Sequence, residues 1–374
     1  MAAEGKVAGG GDTGPAMGVR RRSTARIGAR AAALDLEGAA IVVGAAALVV
    51  AVIVSLPFFW GRSLPIAGPG SVSQFTALTA GVLAVVAYVV GRLWHRALLT
   101  PFGDAPDRQP GIAREKSPAV SVFDTAVIAV AHGMIALFGW LLLGAVLANG
   151  FTDASVYAVS ATALAGAAAG VTAYAVFLSG TRMDLMRLST VLAVFAVVGI
   201  LVATLSAPDP HWWEFHLSAL GMTNSFSSLT FNLTLIVAGL MMAAIARYAT
   251  DLTGLTGPLR SANLRVRVCL ILIGVLLAGV GLFPLDVSQI LHNASAVGML
   301  IAFALLVFWV RPALPQAPRA FFLFGYVSFG VIVVAAVFFV TGYYVLTATE
   351  LIAGVIVFAW VTVFLRVSGA GARG

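Results

Sequence analysis

Cysteine is nearly absent from this sequence: Cys269 stands alone, inside an apolar run. Without an intrachain partner it excludes a disulfide framework, and no CxxC pair marks a metal or redox site. Charge is also scarce. Asp, Glu, Lys and Arg make up 10% of the 374 residues, against roughly a quarter in soluble domains, so a continuous water-facing surface cannot be built from this chain. There is no G-x-x-x-x-G-K-[ST] phosphate loop, no H-E-x-x-H and no G-x-S-x-G elbow, which removes three common catalytic signatures. Alternating segments of about ten residues, the mark of a membrane barrel, are missing too.

What remains is hydrophobic. Sixty per cent of residues are apolar (60%) and the mean hydropathy is +1.01. Apolar runs of about 20 residues recur, each long enough to cross a ~30 Å hydrocarbon core as a helix. They fall near 39–60, 73–91, 121–148, 155–179, 186–206, 228–246, 266–284, 288–310, 320–341 and 346–365. The pattern predicts an all-α polytopic integral membrane protein with about ten transmembrane helices. Across that alternation every Lys and Arg except Arg62 falls on one side, which by the positive-inside rule puts the N and C termini in the cytoplasm. The same asymmetry accounts for the net charge of +7 without a nucleic-acid partner. Arginine far outnumbers lysine amid abundant Ala, Val and Gly, a composition that suggests a GC-rich bacterial genome and a bacterial cytoplasmic (inner) membrane.

The first run is of full spanning length and ends in Pro57-Phe58-Phe59-Trp60, so it reads as an uncleaved span rather than a signal peptide. Residues 1–37, with Arg20, Arg21, Arg22, Arg26 and Arg30, read as a disordered basic cytoplasmic tail, and 367–374 as a second tail. Spans one to four form an N-terminal membrane module over 38–180, and six more helices fill 181–366. The link near 92–120 carries Pro101, Pro106, Pro110 and Pro118 and reads as flexible. The external loop near 207–227 contains Pro208 to His216, with Trp212, Trp213 and Phe215 suited to the half-wet membrane interface. Gly166 and Gly170 match the small-xxx-small pattern of close helix packing.

Polar residues at membrane depth are costly and therefore informative. His132 falls near a midplane; it is either a neutral histidine bonded to a neighbouring helix or a proton-relay or ligand residue. Asp124, near the start of the same span, reads as a carboxylate favoured by the helix dipole. On the external face lie Asp209, His211, Glu214 and His216, then Asp286 after Phe283-Pro284, His292 one turn on, and Glu350 at the start of the last span. If the loop folds back, these groups converge at one mouth able to bind a divalent cation, orient a lipid headgroup or move protons. The bland alternative is a set of wet interfacial residues with structural hydrogen bonds. Gly221 marks a turn, with Ser218 and Asn224 available as helix caps.

The order His216-Leu-Ser218-Ala-Leu-Gly221, Phe231-Asn232, Gly239, Gly281-Leu-Phe283-Pro284, His292-Asn293 resembles the prokaryotic membrane family known as domain of unknown function 998, over roughly 186–366. That resemblance implies a six-helix module with an S-x-L-G loop and a later F-P…H-N pair, distantly similar to eukaryotic DRAM-type membrane proteins. Ser218, Gly221, Asn232, Pro284 and His292 match its pattern. Ala219 stands where members often carry Asp, so no role for that acid carries over.

The function expected is binding of a membrane lipid, or of a membrane protein partner, at the external face, without a cofactor. One alternative is an intramembrane metal-dependent lipid hydrolase, with zinc held by His211, His216 and His292. The other is a secondary transporter using His132. The ligand candidates are therefore His211, Glu214, His216, Ser218, Asp286, His292 and His132, with Gly221, Asn232 and Pro284 as structural positions.

Overall fold

The computed structural model describes the backbone of residues 15–99 and 118–371 and the side chains of 35–95 and 119–369, leaving out 251 and 253 in both cases. Ten helices among these residues are long and apolar enough to span a membrane. They are α1 (Pro15–Phe59), α2 (Val72–Leu99), α3 (Pro118–Gly150), α4 (Ala158–Thr181), α5 (Leu185–Leu205), α6 (Phe226–Ala249), α7 (Gly257–Leu282), α8 (Leu285–Trp309), α9 (Arg319–Val340) and α10 (Leu346–Gly371). The chain is thus a multi-pass, all-α membrane protein, as the spacing of apolar runs predicts.

Several boundaries depart from the expected ones for local reasons. The helix of the first span begins at Pro15, inside the stretch read as a disordered tail. Proline suits a first helical position, and the Ala- and Arg-rich residues after it are strong helix formers. Residues 1–14, most of the proline-containing link (100–117) and residues 372–374 lie outside the described residues. Residues 155–157 are not helical: Ser155–Tyr157 (β2) pairs antiparallel with Ser63–Pro65 (β1), Leu64 facing Val156, which ties the α1–α2 and α3–α4 turns together. In α8 the backbone breaks at Ser288 (φ −160°, ψ 98°). The Ser288 hydroxyl then accepts from Leu291 N–H at 3.4 Å and the helix restarts, so a serine side chain takes the place of a lost backbone partner.

Helix ends are closed by side chains the sequence supplies. Asp184 caps α5 by accepting from Arg187 N–H at 2.9 Å. Ser225 and Ser228 cap α6 reciprocally, each hydroxyl 3.1 Å from the other's backbone nitrogen. Such pairings matter in lipid, where no water satisfies an orphan N–H.

Within the bundle α4 packs between α1 and α2, α2 against α3, and α7 between α6 and α8, while α10 contacts α9 and α5. The largest buried cluster runs through both halves of the chain, from Tyr88 and Ile128 to Phe303 and Trp360. Backbones touch where small residues face one another. Gly170 meets the carbonyl of Gly44 in α1, and Gly166 abuts Val52, so the Gly166–Gly170 stripe is an α1–α4 packing seam. At the α6–α7 crossing a methyl group on Gly239 would sit 2.2 Å from the carbonyl oxygen of Gly274. Interhelical approach of this kind supplies the dispersion contact that holds helices together when lipid is as apolar as they are.

Candidate functional site

The α5–α6 loop folds back over the helix ends. Asp209 accepts from His211 N–H at 2.8 Å, and two short 3-10 turns follow, Trp212–Glu214 and Leu217–Gly221. Asn232, in α6, fixes the second turn by donating Nδ2–H to the Gly221 carbonyl at 2.9 Å. Glycine is needed at 221 because a methyl there would lie 2.5 Å from Asn232 Oδ1. Asp286, at the start of α8, accepts from Thr223 N–H at 3.2 Å, and Thr223 itself has φ +70°. Gly221 and Asn232 meet in these contacts, and Pro284 stands at the N-cap position of α8 without a side-chain hydrogen bond.

Three side chains from three separate elements then converge. His292 Nε2 lies 3.1 Å from Ser218 Oγ, which lies 3.2 Å from Glu350 Oε1. The outer ends of this array are anchored on backbone. His292 Nδ1 is 3.0 Å from the Phe283 carbonyl, and Leu217 N–H donates to Glu350 Oε2 at 2.6 Å. His292 is 4% and Ser218 7% exposed, so neither relies on bulk water.

The anchors fix where hydrogens can be. A carbonyl only accepts, so Nδ1 of His292 carries a hydrogen. Two links remain, imidazole to hydroxyl and hydroxyl to carboxylate, and the hydroxyl owns one hydrogen. With a neutral imidazole and an ionised carboxylate the array is one hydrogen short. One additional proton, on His292 or on Glu350, completes both links, and it can pass between them through the Ser218 hydroxyl. Buried polar networks left one donor short carry a cost, because the unpaired acceptor has lost water without replacing it.

This array forms the polar end of a cavity of about 200 Å³ enclosed by α5, α6, α7, α8 and α10. Its walls are otherwise apolar, with Leu235, Met242, Ile273, Leu277, Met299 and Phe358 among them. An apolar recess with a few convergent polar groups is the usual form of a small-molecule site. A second cavity, of about 500 Å³, lies among α2, α3 and α4 near Ser73, Trp140 and Leu164, with no titratable side chain in its lining.

The remaining candidates are placed elsewhere. His211 and Glu214 are exposed on the loop, and His216 borders a separate hollow of about 350 Å³ beneath Trp212 and Phe215. Among the described residues no group of three or more His, Cys, Asp or Glu side chains is arranged to hold a metal ion. His211, His216 and His292 are thus not brought together as a ligand set, and both ring nitrogens of His292 are already engaged. His132 is bonded at both nitrogens, to the Ile128 carbonyl at 2.8 Å and to Ser179 Oγ at 2.9 Å, and it stacks on Tyr88. Asp124 does not sit in the first helical turn, since α3 starts at Pro118; it forms a buried ion pair with Arg247 of α6. The pairing replaces the dipole role expected for it, because a buried carboxylate gains far more from a guanidinium than from a helix end.

Sequence reasoning left Glu350 out of the ligand set, although it counted that residue among the external carboxylates. The signal available was a lone acid opening an otherwise uncharged span. The loop end is acidic as a whole, with Asp153, Asp209, Glu214, Asp286 and Glu350 against Arg62.

Residues 190–367, a little under half of the chain, match a family model described as protein of unknown function (DUF998). Ser218, His292 and Glu350 all fall inside the matched segment. Comparison with curated proteins and with solved structures gives no match.

Proposed function

We propose that this integral membrane protein binds a lipid at its loop face, with the lipid's chain in the cavity enclosed by α5–α8 and α10 and its head against Ser218, His292 and Glu350. The observation that carries the reading is the coincidence, in one recess, of an apolar wall and a polar end held by side chains from three elements. A recess of this kind inside a bilayer has acyl chains as its most abundant apolar neighbours. The distribution of Lys and Arg supports cytoplasmic termini and hence an external loop face. The arginine-rich, lysine-poor composition supports a bacterial cytoplasmic membrane. The first four helices, outside the matched segment, act as an accompanying module.

Gly354 offers the direct test. It lines the cavity, and no atom lies within 4 Å of where its side chain would begin. Gly354→Leu therefore adds bulk at the rim of the recess without a backbone clash, and leucine favours a helix over glycine by about 1 kcal/mol. Gly330→Leu, at an equally open position away from the cavity, is the control. Native mass spectrometry of the purified chain should show co-purified lipid in wild type and Gly330→Leu but not in Gly354→Leu. Equal lipid in all three would defeat the reading.

A further inference from the structure

The donor count at the polar end says more about the ligand than the cavity does. Resting on the lipid-binding reading above, we infer that this site takes an amphiphile whose head is uncharged or cationic and donates a hydrogen bond, such as a long-chain alcohol, monoacylglycerol or amine, and that it rejects carboxylate and phosphate heads.

Two observations lead there. The array His292–Ser218–Glu350 offers three acceptor positions, Nε2, Oγ and Oε1, to one hydroxyl hydrogen when the imidazole is neutral and the carboxylate ionised. A head carrying O–H or N–H supplies the missing donor; a carboxylate or phosphate dianion brings only further acceptors. Secondly, among the described residues no Lys or Arg lines the cavity, and Arg62 is the one Lys or Arg in the sequence assigned to the loop end, which carries five acids. An anionic head would be desolvated against like charge, at a cost no nearby cation offsets.

Glu350 sets the preference, and its amide variant isolates the effect. In Glu350→Gln the side-chain oxygen still accepts from Leu217 N–H, while the new –NH₂ donates to Ser218 Oγ. The array is then complete without a ligand, and the acid is gone.

The experiment uses the full chain in nanodiscs of uncharged lipid, read by native mass spectrometry. The probes share one decyl chain: the alcohol, its methyl ether, the amine, the carboxylate and the phosphate. For wild type the alcohol and the amine should bind at least about tenfold tighter than the ether, the loss expected for one hydrogen bond to a charged acceptor. The carboxylate and the phosphate should bind more weakly than the alcohol. In Glu350→Gln the alcohol-to-ether ratio should fall towards one, and the amine should lose its advantage. An ether that binds wild type as well as the alcohol, or an anion that binds tighter, overturns the inference. The lipid-binding reading survives that result if Gly354→Leu still abolishes binding of every probe. If no probe binds wild type, both fall together.

Discussion

Removing Arg247 should destabilise this protein more than removing its partner Asp124, although both deletions break the same ion pair. The pair joins α3 to α6, across the boundary of the family match, and its two ends are unequally buried: the side chain of Asp124 is 2% exposed and that of Arg247 27%. Arg247→Ala strands a carboxylate in the interior, a loss of about 3–5 kcal/mol for a broken buried pair. Arg92 borders the same small polar hollow and holds the cost towards the lower end of that range. Asp124→Ala leaves a guanidinium that already lies 5.6 Å from the centre of the Phe123 ring and is partly exposed. Its long stem lets it reach the interface, so about 1–3 kcal/mol is expected. The double variant Asp124→Ala/Arg247→Ala removes both charges together and should cost about 2 kcal/mol less than the sum of the two single deletions. Reversible unfolding in mixed micelles, arranged as a double-mutant cycle, measures all three values. The reasoning fails if Asp124→Ala proves the more damaging single change, or if the coupling lies within about 0.5 kcal/mol of zero.

The α6–α7 crossing makes a second demand. Gly239→Ala drives a methyl into the Gly274 carbonyl and the Ala278 backbone nitrogen, neither of which can swing aside, so about 1–3 kcal/mol should be lost by the same unfolding assay. Gly139→Ala, where nothing lies within 4 Å, should instead be neutral or gain up to about 1 kcal/mol. Gly221→Ala should push Asn232 off the Gly221 carbonyl and release the turn that carries Ser218. Faster amide exchange over 207–227 with unchanged exchange in α2–α4 is the expected pattern; uniform exchange throughout would contradict it.

The architecture was legible because its determinant is one-dimensional. A helix that crosses lipid must satisfy its own backbone, so the length of an apolar run is enough to mark it as a span. Local chemistry was only partly legible: Gly221 closes the 3-10 turn of the loop, whereas the backbone break at Ser288 inside α8 left no mark in the sequence. Asp124 was misread because an acid near a helix start has a ready local explanation, whereas its partner Arg247 is 123 residues away and carries no mark of the pairing. The helix from Pro15 was missed because charge and glycine upstream of a span look like a tail, even where alanine and arginine favour helix.

The polar end of the cavity shows the same limit at the point where function begins. Ser218 is separated from His292 by 74 residues and from Glu350 by 132, and each stands alone in an apolar or interfacial setting. No spacing rule joins a 3-10 turn and the second turns of two separate helices. They meet because Asn232 pins the loop to α6, Phe283 and Pro284 aim α8, and α10 returns beside α5. Each of those placements serves packing or backbone satisfaction on its own account. Their joint result is an array whose hydrogens do not add up without a proton or a ligand. A bundle built only to pack would gain by replacing Glu350 with glutamine, which completes the links at no cost in volume. An acid at the loop end of α10, whose other charged residue, Arg366, stands at the far end of the helix, is the feature that favours a bound donor over a purely structural cluster.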